Sequence, residues 1–315
     1  MTGAGGDPLA ARPEWAAEVD LNEADVRAIV RRQFADVSLD GLAPLATGWD
    51  NALWVTGEGI AFRFPRRAIA VPGVAREIAV LPLLAPRLPL PIPVPTLIGR
   101  PAEGYPWPFF GARLLPGTEI ADAPLDGDRE AFGLALAGFL RAIHAPSILA
   151  AFGSGLARDP MGRADMTRRV PRTRERFATL ESLGLWTASP AAFALLDQAE
   201  TLPATTDEAL VHGDLHVRHV LVGPDGRPSA VIDWGDLAVA DPSVDLSLYW
   251  SQLDGPARTA FRDAYGAERL TAARLLRARV LALFLDAALA AYAHDTGSDA
   301  LLRTTLDGLE RTLRD

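Results

Sequence analysis

Residues 210–250 read LVHGDLHVRHVLVGPDGRPSAVIDWGDLAVADPSVDLSLYW. Three short apolar runs, Leu210-Val211, Val220-Leu221-Val222 and Ala230-Val231-Ile232, predict strands. A polar loop lies between the first two and opens with His212-Gly213-Asp214. Gly223-Pro224-Asp225-Gly226 predicts a turn between the last two. After Asp214 come four residues and then His219. Nineteen residues past Asp214, at the end of the third run, stands Asp233-Trp234-Gly235, followed by Asp241-Pro242 and Asp245. Carboxylates at strand ends around a short loop are held on a rigid frame, which is what reactive groups require.

Outward from this stretch, the two halves of the chain differ. Leu21 to Phe34 predicts an amphipathic helix, with Asn22 as N-cap and Asp25 three residues on. Leu45–Gly48, Leu53–Thr56 and Ile60–Phe64 are Gly-punctuated apolar runs and predict hairpin strands. Val74–Leu84 predicts a helix, Pro86–Pro95 a connector, and Phe109–Leu115 a further strand closed by Pro116-Gly117. Beyond Pro116 the pattern is helical: Arg129–His144, Arg163–Gly184, Pro190–Leu202, and Pro256–Leu313 with breaks at Gly266 and Gly297. The expected division is 1–115 for a β-rich part and 116–315 for a helical part.

At 315 residues the chain can bury a sizeable core, and 49% apolar content excludes a disordered chain. The longest apolar stretch, Val280–Ala293, is interrupted by Asp286 and is too short and Ala-rich to span a bilayer, so it predicts a buried helix. The opening MTGAGGDPLAARPEW has no basic region followed by an apolar run. The expectation is a cytoplasmic protein with no membrane partner. There is no Cys, which excludes disulfides, thiolate zinc sites and thiol nucleophiles. All 31 basic residues are Arg. A glycine-lysine phosphate loop and a Schiff-base lysine are therefore excluded. The net charge of −9 argues against nucleic acid as a partner. Met1–Leu115 carries 12 acidic and 11 basic residues, Pro116–Asp315 28 and 20. The acidic second part suits a cationic ligand, although acidic surfaces also serve solubility.

Phosphoryl transfer to a hydroxyl needs a carboxylate to take the proton, ligands to hold magnesium against the phosphates, and a rigid backbone to fix both. The catalytic loop of kinases reads His-x-Asp-x-x-x-x-Asn. Here His212-Gly213-Asp214 meets it, with His219 in the place of Asn. Asp233-Trp234-Gly235 stands where kinases have Asp-Phe-Gly. The stretch resembles the aminoglycoside phosphotransferase family, whose loop reads His-Gly-Asp-Leu-His and whose metal segment reads Ile-Asp-Trp. His219-Val220-Leu221 is similar to the macrolide phosphotransferase branch. Upstream, Gly48-Trp49-Asp50-Asn51 resembles the family's first hairpin. Phe62-Arg63-Phe64-Pro65-Arg66-Arg67 resembles its phosphate-contacting strand, and the helix with Arg76-Glu77 follows in order.

The likeness runs from Gly41 to Tyr249. It implies a two-lobed, protein-kinase-like α+β fold with a small β-rich N-lobe and a larger, mostly helical C-lobe. It also implies a nucleotide between the lobes, with a hinge near Arg113–Pro116. The implied activity is ATP- or GTP-dependent O-phosphotransfer to a small-molecule hydroxyl, such as that of an aminoglycoside or macrolide antibiotic. The same resemblance makes Asp214 the catalytic base and gives Mg²⁺ to Asp233 and His219. It assigns Gly48, Arg63, Glu77 and Leu115 to the nucleotide.

There are departures. Arg63 must stand for the usual Lys opposite Glu77, and its planar fork cannot give identical phosphate geometry. The Gly-x-Gly-x-x-Gly loop is absent. His219 is a softer ligand than an Asn carbonyl. Asp245 reads as a structural acceptor for loop amides, His212 as packed support, His144 as a core or capping residue, and Trp234 as packing behind Asp233. Two rivals stand beside the kinase reading. One is a catalytically impaired kinase fold that only binds nucleotide. The other is a metallohydrolase with His212, His216 and His219 on zinc.

Overall fold

The structure, a computed structural model, describes residues 17–48, 50–123, 125 and 129–314. Trp49 of the expected first hairpin and the N-terminal stretch to Trp15 lie outside the described residues. The chain divides into two compact units. One comprises the residues up to Pro82 together with Val94–Leu114; the other comprises Leu83–Pro93 and the residues from Leu115 onward.

The first unit begins with α1 (Glu23–Gln33). The Asn22 side chain accepts the Asp25 N–H (3.1 Å) and the Asp25 carboxylate accepts the Asn22 N–H (3.0 Å), a reciprocal cap. Strands β1 (Ala43–Thr47), β2 (Asn51–Val55) and β3 (Ile60–Pro65) follow, then α2 (Val71–Leu84), β4 (Pro95–Gly99) and β5 (Phe109–Arg113). They form an antiparallel sheet in the order β1-β2-β3-β5-β4. Val26, Ile29 and Val30 of α1 share a core with Trp54, Phe62, Phe64, Tyr105 and Phe109. Phe64 and Phe109 stack at 4.5 Å between ring centroids. Side chains alternate along a strand, so burying Phe62 and Phe64 turns Arg63 to the other face. Ala68–Arg87, which spans α2 and its flanking turns, is long and apolar enough to cross a membrane. It carries Arg76 and Glu77 at mid-length, and Glu77 is buried and ion-paired. β4 is not among the expected strands; the Pro86–Pro95 connector reaches only its first residue. Its partner β5 supplies the pairing that the local sequence does not advertise.

The second unit holds β6 (Thr118–Glu119), α3 (Arg129–Ile143), α4 (Pro146–Phe152), α5 (Met166–Ser182) and α6 (Pro190–Glu200). Then come β7 (Ala209–Val211), β8 (Val220–Val222), β9 (Pro228–Val231), β10 (Ala238–Ala240) and α7 (Ser247–Ser251). It ends with α8 (Gly255–Tyr265), α9 (Ala272–Thr296) and α10 (Asp299–Leu313). β7 pairs with β10, and β6, β8 and β9 form a three-stranded sheet. α9 is the central helix. Val280, Leu283, Ala287 and Ala290 pack with Val170 and Phe177 of α5 and Leu309 of α10. Another face of the same stretch of α9, at Leu281, backs the short strands at Val211, Ala238 and Ala240. The breaks expected at Gly266 and Gly297 fall at the C-termini of α8 and α9, where both glycines have positive φ. The helix expected from Arg163 begins instead at Met166. Asp165 caps it by accepting the Thr167 N–H (3.0 Å), so Arg163 lies before the helix, in a loop.

Candidate active site

The loop from His212 to His219 leaves β7 and returns into β8, and Asp233 stands two residues past the end of β9. Asp245, fully buried, fixes the start of the loop. Its Oδ2 accepts the His212 N–H (2.8 Å) and its Oδ1 accepts the Gly213 N–H (3.0 Å). His144 Nε2 donates to the same Oδ2 (3.1 Å), and His144 Nδ1 is bonded to the Tyr265 hydroxyl (2.9 Å). Burial pushes the Asp245 pKa up, but the His144 contact and the loop amides outweigh it and keep the carboxyl below its ordinary range. Ser247 Oγ donates to the Leu215 carbonyl (2.6 Å) and ties down the middle of the loop. Gly213 has φ +95°, and a Cβ there would lie 2.2 Å from the Asp236 carbonyl oxygen. Only glycine lets the loop backbone pass that close.

His212 uses both ring nitrogens internally. Nε2 donates to the Ile232 carbonyl (2.9 Å) and Nδ1 accepts the Asp214 N–H (3.2 Å). It is therefore support for the loop, and the three-histidine zinc arrangement loses its first member. Trp234 is fully buried, donates Nε1–H to the Val231 carbonyl (2.9 Å), and packs edge-on to His212 at 4.7 Å.

Asp214 projects from this frame. His216 Nε2 is 3.5 Å from its Oδ2. Arg163 Nη2 donates to its Oδ1 (3.2 Å) and also to Asp236 Oδ2 (2.7 Å). Burial raises the pKa of Asp214, but the contacts with His216 and Arg163 hold it far below the usual carboxylate range. Asp214 is thus an anion with oriented oxygens. Neither Arg163 nor Asp236 was singled out from the sequence. Arg163 reads there as the first residue of a helix, and the only local signal against this is Asp165 as an N-cap.

His219 Nδ1 lies 2.7 Å from the Asp214 carbonyl oxygen. A carbonyl only accepts, so Nδ1 carries the proton and Nε2 presents a lone pair. Nε2 lies 3.5 Å from Asp233 Oδ2. A lone pair and a carboxylate oxygen facing each other suit a shared cation, so this pair fits a divalent metal. Asp214, His216 and His219 also bring ligand atoms within 4.8 Å of one another. Asp233 has φ +63°, a strained conformation for a residue with a side chain, and such strain concentrates at functional positions.

In the other unit, Arg63 Nε and Glu77 Oε2 are 3.3 Å apart, and both residues are buried. Arg66 is instead bonded to the Gly48 carbonyl (2.8 Å) and Asp20 (3.2 Å), and Arg67 to Asp50 (3.0 Å). Gly48 is exposed and closes the first hairpin, its N–H bonded to the Asn51 carbonyl (2.9 Å). Leu115 is half-buried just after β5.

Residues 41–283 match the model of the phosphotransferase enzyme family. The chain belongs to this family. It is 28% identical over 194 residues to the aminoglycoside 3'-phosphotransferase of Streptomyces fradiae, which is 58% of this chain and 70% of that protein. A shorter match, 46% identical over 41 residues, joins it to the uncharacterized protein YcbJ of Bacillus subtilis and spans 13% of either chain. Among solved structures, the GDP complex of aminoglycoside 2'-phosphotransferase-IIIa superposes with a TM-score of 0.68 at 19% identity, covering 93% of this chain and 99% of that one. Macrolide 2'-phosphotransferase type I superposes at 0.60 with 22% identity, covering 90% and 96%. The chain therefore has the kinase-like α+β fold of this family, with a five-stranded antiparallel sheet and a mostly helical remainder.

Proposed function

We propose that the protein is a nucleotide-dependent small-molecule kinase that transfers the γ-phosphate of ATP or GTP to an alcohol. The observation that carries this reading is the anchored Asp214 carboxylate beside the His219–Asp233 pair. Asp214 accepts the acceptor's hydroxyl proton while the hydroxyl oxygen attacks the γ-phosphorus. The bond from that phosphorus to the bridging oxygen breaks, and the nucleoside diphosphate leaves with the electron pair. Asp233 Oδ2 and His219 Nε2 would hold Mg²⁺, which when bound neutralises phosphate charge. Arg63, oriented by Glu77, steadies the donor phosphates, with Gly48 and the backbone at Leu115 completing the nucleotide contacts. The reaction belongs in the cytoplasm, where the donor is abundant.

The acceptor is a hydroxyl-bearing small molecule. The aminoglycoside and macrolide classes in the relatives' names are the first to assay, and antibiotic resistance is the phenotype such turnover would give. The test is acceptor-dependent nucleotide consumption by the purified chain and by Asp214→Asn. Losing the base should cost about 10²–10⁴-fold in kcat while nucleotide still binds. An Asp214→Asn enzyme with wild-type turnover would remove Asp214 from the mechanism.

A further inference from the structure

α5 carries five arginines within nine residues: Arg168, Arg169, Arg172, Arg174 and Arg176. Arg174 is neutralised by Asp197 (2.7 Å) and Glu200 (3.4 Å). Arg168, Arg169, Arg172 and Arg176 form no ion pair among the described residues, and Arg169 is the telling case. It is only 5% exposed, with its Cζ 4.3 Å from the centroid of the Phe284 ring. Its side chain forms no hydrogen bond among the described residues, and its Nε is sealed from solvent. Its terminal nitrogens are not sealed, so the guanidinium edge keeps the little access that remains. Arg176 lies 5.9 Å from the same ring.

A buried guanidinium without an oxygen partner is costly, because it has given up water for nothing comparable. Burial first, then the charges of Arg163, Arg172 and Arg168, lower the Arg169 pKa to about 10. Asp159 is the carboxylate that counters them. Its two oxygens are already taken by the N–H groups of Arg163 (2.7 Å) and Ala164 (2.9 Å). The Arg168 guanidinium turns back toward Gly162, where a Cβ would lie 2.7 Å from Nη1. That places it beside the loop whose next residue, Arg163, holds Asp214.

We propose that Arg169 and Arg172, with Arg168, form an anion subsite next to the catalytic carboxylate, so the preferred acceptor is a small alcohol that carries a carboxylate or phosphate group. The subsite supplies the oxyanion that Arg169 lacks. It works against a polycationic acceptor such as an aminoglycoside, which would meet like charge there, despite the acidic balance of the chain as a whole. The inference rests on Asp214 as the base for its link to catalysis.

The test is calorimetric titration of the full chain without nucleotide, using D-glycerate, glycerol 3-phosphate, glycerol and 3-amino-1,2-propanediol. At least one anion should bind about tenfold or more tighter than glycerol, the scale of a charge-assisted hydrogen bond. The glycerate and phosphate arms tell carboxylate from phosphate. That preference should be lost in Arg169→Met, which keeps a stem over Phe284, and in Arg172→Ala, an exposed position that spares the fold. Tighter binding of the amine, or anion affinity unchanged in both variants, overturns the subsite. Parallel assays with nucleotide separate the two readings. Anion binding lost in the variants, with no alcohol phosphorylated, supports the subsite and refutes the kinase. Asp214-dependent phosphorylation of neutral or cationic alcohols, without anion binding, does the reverse.

Discussion

Arg163 and Arg63 show how differently two arginines can act on a similar charge. Arg163 shares one terminal nitrogen between Asp214 (3.2 Å) and Asp236 (2.7 Å), so it aims the base from outside the loop that carries it. Arg163→Ala should lower kcat by about 10–100-fold, which corresponds to ~1.5–3 kcal/mol for a charge-assisted hydrogen bond, and leave the KM for nucleotide nearly unchanged. Steady-state kinetics decide it: a higher nucleotide KM at constant kcat would place Arg163 on the donor instead. Arg63, 3.3 Å from buried Glu77, should behave in the opposite way. Arg63→Ala should reduce kcat/KM for nucleotide by about 10–100-fold. It should also lower the melting temperature, because it takes a cation away from a buried carboxylate. Arg63→Lys should recover part of both. Arg66→Ala and Arg67→Ala should do much less, since their guanidinium groups are spent on Gly48, Asp20 and Asp50. A severe Arg66→Ala beside a silent Arg63→Ala would contradict the face assigned to β3.

At the scale of elements, α9 and α10 meet where Gly308 packs on Asp286. A Cβ at Gly308 would lie 2.3 Å from Asp286 Oδ2 and 3.4 Å from Ser251 Cβ. In an exposed helix, Gly→Ala is stabilising by about 1 kcal/mol. Here Gly308→Ala should instead destabilise by about 1–3 kcal/mol, since the buried Asp286 carboxyl must shift to admit the methyl group. Chemical denaturation measures it, and a stabilised variant would mean the helices can separate at no cost. Asp286 itself is held well above the ordinary carboxylate range by burial, only partly offset by Arg311. A carboxyl whose folded pKa is raised gives its full stability below its unfolded pKa and loses it as pH rises through the folded value. Asp286→Asn does not titrate, so its melting temperature should gain on the wild type as pH rises from 5 to 8.5. A constant difference would mean that a partner holds the charge.

The same elements show what the sequence could tell. The α1 cap, the three hairpin strands and the breaks at Gly266 and Gly297 are local signals, and they are legible. β4 and β10 exist only through pairing with β5 and β7, so nothing local marks them. The support around Asp214 divides in the same way. Asp245, His212 and Trp234 fall within one stretch of chain and can be read from it. Arg163 and His144 reach the site from 51 and 70 residues upstream of Asp214, and only the fold brings them in.

For the molecule as a whole, the absence of lysine is the most exposed feature. With no Lys, the side chains that are always cationic at neutral pH are all Arg. An arginine-directed dicarbonyl reagent should abolish turnover, and nucleotide should protect; acylation of primary amines should leave activity intact. Inactivation by amine acylation would mean that phosphate binding does not run through arginine. The measurement that bears most directly on the proposed activity is phosphorus NMR of the purified chain with nucleotide, Mg²⁺ and a panel of small alcohols. The account predicts a new phosphomonoester resonance with stoichiometric nucleoside diphosphate, dependent on Mg²⁺ and lost in Asp214→Asn. Release of inorganic phosphate alone, or ester formation undiminished in Asp214→Asn, would contradict it.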